Sequence, residues 1–345
     1  MIVRCAAGRL PLRDESVDLI VTSPPYWGLR SYEDGDRPLA GQIGAEADPR
    51  DYLDALWAVT AEMVRVLRPT GSLFVNLGDK YAGSGGPGTT TGLANGTAQQ
   101  RRAQVGASYR QGIELAPAKS LLGLPWRYAL GCIDRGLILR AEIIWSKPNG
   151  MPESVADRAR RSHETWFHLT KAPVYFADIA NFADEYAGDR TPSRLAKKPG
   201  DGKHAQRAPW APETYQRSRP GSVWTVPTEP LTVPAAIRHH YGLPEHYAAF
   251  PSEWPRRLIL GWCPPGGIVL DPFGGTGTTA MVARMLGRVG ISADLSAAYC
   301  RLARWRIYES GHAGRAESRT WGERQEVLAL AESRMEDVAV DPGVL

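Results

Sequence analysis

Ser23-Pro24-Pro25-Tyr26 places a hydroxyl, a carbonyl with no competing N–H, and an aromatic ring in four consecutive residues. Pro24 and Pro25 each fix φ and push the preceding residue towards an extended shape, so the turn is stiff. The chemistry it suits is activation of an aryl amine, such as that of cytosine or adenine. Such an amine is a poor nucleophile because its lone pair is delocalised into the ring. Two acceptors aimed at its two N–H bonds would draw the nitrogen towards sp³ geometry. Ser23 Oγ and the Pro24 carbonyl can serve, and Tyr26 can stack on the base. Ser23 is a weak base, so its role is positioning and charge stabilisation rather than early proton removal. Taken alone, the run also reads as a proline-rich turn that closes a strand.

A second constellation lies near the C-terminus. Ile268-Val269-Leu270-Asp271 is a strand, Pro272-Phe273-Gly274-Gly275-Thr276-Gly277 a glycine turn, and Thr278-Thr279-Ala280 a helix start that either threonine can cap. A further strand, Val289 to Asp294, ends in an acid about 20 residues past the turn, where ribose hydroxyls can be bound. A nucleotide site follows. It lacks the Gly-Lys-Ser/Thr of a P-loop and the spacing of a dinucleotide fingerprint.

Together the two runs resemble the amino-group DNA methyltransferases. Ser23-Pro24-Pro25-Tyr26-Trp27 is similar to the catalytic motif of the cytosine-N4 branch. Asp271, Pro272, Phe273, Gly275, Gly277, Thr278 and Thr279 resemble the family's S-adenosylmethionine motif. His246 to Leu258, with Phe250, resembles the helix that packs on the methionine part of that cofactor. The resemblance implies Ser23, Pro24, Pro25 and Tyr26 as catalytic residues. It implies Phe250, Asp271, Phe273, Gly275, Gly277, Thr278 and Asp294 as the cofactor set. One departure stands out: the acid expected to touch the adenine amine is Ala6 here, leaving Asp14 or a backbone group as substitutes.

The elements that must carry these residues are legible. Ser16 to Val21 is an apolar, β-branched run typical of a buried strand, and it delivers Ser23 just beyond its carboxyl end. Tyr52, Leu53, Leu56, Val59, Met63, Val66 and Leu67 recur at helical spacing after Asp48-Pro49. Ser72 to Leu77 follows as a strand, completing a βαβ step. Leu121 to Ile133 reads as a helix, Leu137 to Trp145 as a strand, and Trp166 to Thr170 with Val174 to Phe176 as another. Lys147-Pro148-Asn149-Gly150-Met151-Pro152 lies between them and resembles the family's segment lining the base pocket, or else is a hairpin connector.

Two stretches stand apart. Residues 82–112 hold eight glycines, with Arg101, Arg102 and Arg110 as their charges, and read as a basic loop that orders on DNA phosphates or as a solvated insertion. Residues 187–222 carry eight basic residues against three acidic ones, interleaved with Trp210 and Tyr215. The whole chain is only +4, so its basic excess sits there. Arg194, Lys197, Lys198, Arg207, Arg217 and Arg219, with Lys147, Asn149, Arg101 and Arg102, form the expected DNA-binding set. A solvated basic loop is the alternative.

The four cysteines show no CxxC spacing, so neither a zinc site nor a disulfide framework is indicated. No apolar run is long enough to span a membrane, and no signal peptide is apparent, which gives a cytoplasmic expectation. The predicted fold is α/β, a Rossmann-like seven-stranded sheet in circularly permuted motif order with an inserted target-recognition region. Residues 1–178 form the catalytic half, 179–245 the recognition region, 246–309 the cofactor half and 310–345 an extension. The extension supports a dimer or is a frayed tail. The expected reaction is methyl transfer from S-adenosylmethionine to cytosine N4 in flipped-out duplex DNA, without metal, alone or beside a restriction endonuclease. The rivals are an adenine-N6 enzyme and a DNA-binding protein that has lost catalysis.

Overall fold

Six consecutive buried residues, Val17–Thr22, form the strand at the middle of the molecule. A run apolar on both faces is what a strand covered on both sides requires. The computed structural model describes residues 1–28, 41–82, 115–150, 153, 155–179, 220–241 and 249–309, with the backbone at 33–34 and 37–38.

In chain order the strands are β1 (Ile2–Arg4), β2 (Val17–Thr22), β3 (Glu33–Asp34), β4 (Arg37–Pro38), β5 (Leu67–Leu77), β6 (Ile138–Ser146), β7 (His163–Thr170), β8 (Val223–Thr225), β9 (Ile268–Asp271) and β10 (Val289–Asp294). The helices are α1 (Pro49–Val66), α2 (Leu124–Asp134), α3 (Ala235–Tyr241), α4 (Glu253–Trp262), α5 (Thr278–Met285) and α6 (Ala297–Arg304), the last continued by a π-helical turn at Trp305–Glu309. The main sheet has the order β1-β10-β9-β2-β5-β7-β6-β8. Only β7 runs antiparallel to its neighbours, and β3 and β4 form a separate small ribbon.

Two apolar layers enclose the sheet. Ile20 of β2 joins α1 and α2 on one face through Leu53, Leu56, Met63, Tyr128 and Cys132. Leu19 and Val21 point to the other face, against Trp254, Leu258, Met281 and Val282 of α4 and α5. Each such side chain contributes about 1.5–3 kcal/mol when fully buried. The start of α1 is set by Asp48, whose carboxylate accepts the Arg50 N–H at 2.7 Å, with Pro49 fixing the first turn.

The sheet has eight strands rather than the expected seven. The extra one, β8, comes from the segment assigned by sequence to target recognition, and it pairs in parallel with β6. Its three residues alternate exposed, buried, exposed, with Trp224 buried, which is too short a pattern to read as a strand. Conversely, residues 174–176 leave the sheet, because β7 ends at Thr170 before Lys171-Ala172-Pro173. Among the described residues no helix is long and apolar enough to cross a membrane.

Candidate active site

The carboxyl ends of β2 and β9 are adjacent, because these strands pair in parallel through Leu19–Val269 and Ile20–Leu270. The Ser-Pro-Pro-Tyr turn leaves the first and the glycine turn leaves the second. One residue fastens them together. The Asp271 carboxylate accepts Thr22 Oγ1 at 2.7 Å, Thr279 Oγ1 at 2.9 Å and the Phe273 N–H at 3.1 Å. It is fully buried, and burial pushes its carboxyl up to about 6 in spite of these donors.

The proline turn is braced from outside. Tyr52 of α1 donates its hydroxyl to the Pro25 carbonyl at 2.9 Å. The Gly28 N–H reaches the Gly44 carbonyl at 2.7 Å, and Trp27 is buried with its indole N–H on the Glu46 carbonyl at 2.8 Å. Lys80 donates to the Gly28 carbonyl at 2.9 Å, and burial lowers its ammonium to about 8.

Ser23 and Tyr26 converge on a single acceptor. Ser23 Oγ lies 3.3 Å and the Tyr26 hydroxyl 2.6 Å from Asn76 Oδ1. Asn76 sits buried near the end of β5, and its Nδ2 donates to the Thr165 carbonyl of β7 at 3.2 Å. Tyr26 also lies 2.9 Å from Glu164 Oε2, while Lys147 pairs with the other oxygen of that carboxylate. Burial and the Glu164 charge raise the Tyr26 hydroxyl well above its usual range, so it stays protonated. Sequence reading missed Asn76 and Glu164. The available signal was a polar residue at the end of an otherwise apolar strand, in Ser72-Leu73-Phe74-Val75-Asn76.

The glycine turn works mainly through its backbone. Gly275 and Gly277 take φ of +48° and +79°. The Gly275 N–H bonds Asp294 Oδ2 at 2.9 Å, and the Ser296 N–H bonds Oδ1 at 2.8 Å. Each carboxylate oxygen keeps a further lone pair for a ligand hydroxyl. Neither threonine caps α5, contrary to expectation: the N-cap is Gly277 with no side-chain cap bond. Thr279 is committed to Asp271. Thr278 Oγ1 accepts from the buried Arg306 at 2.9 Å, which also binds the Thr276 carbonyl and hydroxyl at 2.8 and 2.7 Å. Burial lowers the Arg306 guanidinium to about 10. Arg306 was also missed, because a π-helical turn 30 residues downstream carries no local sign of reaching back.

Phe250 joins the two halves by meeting Trp166 of β7 edge-on, with ring centroids 5.6 Å apart. Trp166 is the register partner of Asn76 across the sheet. The proline turn, its supporting strands and the glycine turn thus form one continuous site.

The DNA methylase model of N6/N4 methyltransferases matches residues 17–304. The Type II methyltransferase M.SmaI of Serratia marcescens is 37% identical over 297 residues, 86% of each chain. M.Cfr9I of Citrobacter freundii is 36% identical over 295 residues, 86% of this chain and 82% of that one. The chain belongs to the N6/N4 DNA methylase family. Among solved structures, the PvuII DNA methyltransferase (cytosine-N4-specific) shares the fold, with a TM-score of 0.58 at 18% identity over 97% of this chain and 92% of that one. The expectation of S-adenosylmethionine as methyl donor stands with that membership.

The methylase's residues fit such a donor. A Cβ on Gly277 would come within 2.8 Å of Ala303 Cβ, so the turn is tightly packed there, whereas one on Gly275 would meet nothing nearer than the Phe273 carbonyl at 3.8 Å. The remaining lone pairs of Asp294 would suit ribose hydroxyls, and Phe250 and Phe273 would bring apolar surface. Asp14 cannot replace the acid missing at Ala6. It precedes β2, at the opposite end of that strand from the site, and is exposed and paired with Arg65 at 2.6 Å.

Of the expected DNA-binding residues, Lys147 and Asn149 are placed, and both have intramolecular uses. Lys147 pairs with Glu164 and lies 4.1 Å from the centroid of the Trp145 ring. Asn149 clips the backbone of Thr228, accepting its N–H at 2.8 Å and donating to its carbonyl at 3.2 Å. Arg101, Arg102, Arg194, Lys197, Lys198, Arg207, Arg217 and Arg219 lie outside the described residues, as does the extension at 310–345.

Proposed function

We propose that this methylase transfers a methyl group to the exocyclic N4 of a cytosine swung out of duplex DNA. The observation that carries the reading is the state of Ser23. Its hydroxyl donates to Asn76 Oδ1 at 3.3 Å and also meets the Tyr26 hydroxyl, and a lone pair is left to accept from a substrate N–H. The Pro24 carbonyl supplies the second acceptor, and the two together localise the amine lone pair. Tyr26, held at its hydroxyl, offers its ring face to the base. S-adenosylmethionine, when bound, supplies an electrophilic methyl group on a sulfonium. Asp294 and the Gly275 backbone hold its nucleoside, and the Thr22–Asp271–Thr279 bonds keep the two turns in register. A base in a stacked duplex cannot reach such a recessed turn, which supports extrusion.

Serine at the head of the motif, followed by Pro-Pro-Tyr-Trp, supports cytosine over adenine by resemblance to the cytosine-N4 branch. The Type II relatives support a place in restriction and modification beside an endonuclease in the cytoplasm. Target recognition is assigned to the basic residues of 179–245, with 82–112 closing on phosphates and 310–345 supporting a dimer. The test is methyl transfer to duplex DNA in vitro, followed by nucleoside mass spectrometry. N4-methylcytosine supports the proposal. N6-methyladenine overturns the base assignment, and no modified base overturns the reaction.

A further inference from the structure

The Tyr26 hydroxyl has one proton and three oxygens within reach, Asn76 Oδ1 at 2.6 Å, Glu164 Oε2 at 2.9 Å and the Ser23 hydroxyl. Asn76 Oδ1 also receives the Ser23 proton. Glu164 is the stronger acceptor, because it is a carboxylate, and the Lys147 ammonium fixes it in place through its other oxygen. The pair is largely enclosed, with side-chain exposures of 18% for Lys147 and 19% for Glu164, so solvent screens it little. Its reach matters. Lys147 directly follows β6, Glu164 lies at the start of β7, and Tyr26 follows β2, three strands away from β6 in the sheet. A charge pair on the closing hairpin therefore fixes the one aromatic ring of the catalytic turn.

We propose that Glu164 is a positioning residue for methyl transfer, acting through the Tyr26 hydroxyl to orient the ring and enrich its π face. This rests on Tyr26 being the platform for the target base. As the amine takes up the methyl group it acquires positive charge, which is shared with the base ring. An electron-rich aromatic face attracts such a cation, and it does so more strongly as the charge develops than in the ground state. A carboxylate drawing on the phenolic proton raises the electron density of that face. Lys147 then serves to hold the Glu164 carboxylate in place through its other oxygen.

The test is a double-mutant cycle. Glu164→Gln is combined with Lys147→Met, so that no buried cation is left unpaired, and the combination is made with Tyr26 intact and with Tyr26→Phe. Single-turnover methyl transfer is measured with saturating DNA and S-adenosylmethionine, and the methylated nucleoside is identified. With Tyr26 present, the Glu164→Gln and Lys147→Met combination lowers the single-turnover rate roughly tenfold to a hundredfold, as loss of a charge-assisted hydrogen bond predicts. KM for DNA and for the methyl donor stays within roughly twofold. In the Tyr26→Phe background the same combination changes the rate less than roughly twofold. Glu164→Asp, which keeps the charge, recovers part of the loss. An equal loss in both backgrounds overturns the proposal, as does a loss confined to KM for DNA. Absence of methylated nucleoside with the unaltered protein overturns instead the functional reading on which the proposal rests.

Discussion

The proline turn after β2 and the glycine turn after β9 leave adjacent strand ends, yet they are built on opposite principles. The first uses rigid backbone to present side chains: Ser23 and Tyr26 project from it, and Asn76, Glu164 and Tyr52 aim or brace the turn. The second presents backbone: Gly275 and Gly277 sit at positive φ, and a peptide N–H sets the orientation of Asp294. A reacting amine needs acceptors at fixed angles, which side chains held by hydrogen bonds provide. A nucleoside needs close approach along its length, which only residues without Cβ allow. Asp271 is where the two designs meet.

The sharpest way to separate them is Ser23→Ala combined with Tyr26→Ala. Methyl transfer should fall by roughly a thousandfold or more, since acceptors and stacking face are lost together. Binding of S-adenosylmethionine, followed by calorimetry, should stay close to that of the unaltered protein. If cofactor binding falls with catalysis, the two turns are not independent and the division drawn above is broken.

The junction itself is open to a pH test. Folded, the Asp271 carboxyl sits at about 6, above its ordinary 3.8, with burial as the cause. Between those values the folded state holds the proton more tightly than the unfolded chain. This group's contribution to stability is therefore greatest below about 4, falls as pH rises towards 6, and is constant above. Asp271→Asn removes that fall. Relative to the variant, the unaltered protein should lose up to ~3 kcal/mol between those limits, read from denaturant midpoints. A difference that does not change with pH would show the Asp271 carboxyl titrating alike in the folded and unfolded protein.

Gly277→Ala attacks the second design alone. The residue must keep φ near +79° while its new methyl meets Ala303 Cβ at 2.8 Å. Stability should fall by about 1–3 kcal/mol, and cofactor affinity should fall with it. Methyl transfer at saturating cofactor should be nearly retained. A large loss there would mean that the glycine turn also shapes the catalytic one.

Much of this was legible in the chain, and the reasons are local. A strand apolar on both faces, a proline-fixed turn and a glycine turn with an acid 19 residues past Gly275 declare themselves within short windows. What was hidden depends on register. Nothing in Asn76 or Glu164 announces that they reach Tyr26, because the contact exists only once β5 and β7 pair, setting Asn76 opposite Trp166. Arg306 is hidden for the same reason. Lys147 and Asn149 were marked for DNA by the likeness of their segment to the family's, and the fold adds partners that sequence did not show, Glu164 for the first and the Thr228 backbone for the second. Charge and amide groups have many uses, and sequence alone does not choose among them.

Gly78 tests the comparison from the other side. It lies just beyond β5, yet its missing Cβ serves a side chain and not a ligand. A methyl there would stand 2.7 Å from Tyr26 Cε2 and 2.9 Å from Cδ2, so the ring must shift. The Tyr26 ring has little freedom to do so, being held at its hydroxyl by Asn76 and Glu164 and flanked by a proline-fixed backbone. Gly78→Ala should therefore tilt the stacking face without touching the cofactor turn. Turnover should drop by roughly tenfold, equivalent to about 1.4 kcal/mol, with KM for S-adenosylmethionine unchanged. The effect should vanish in a Tyr26→Ala background, where the clash is gone. If Gly78→Ala instead weakens cofactor binding, this glycine belongs to the backbone-presenting design, and the boundary between the two must be redrawn through β5.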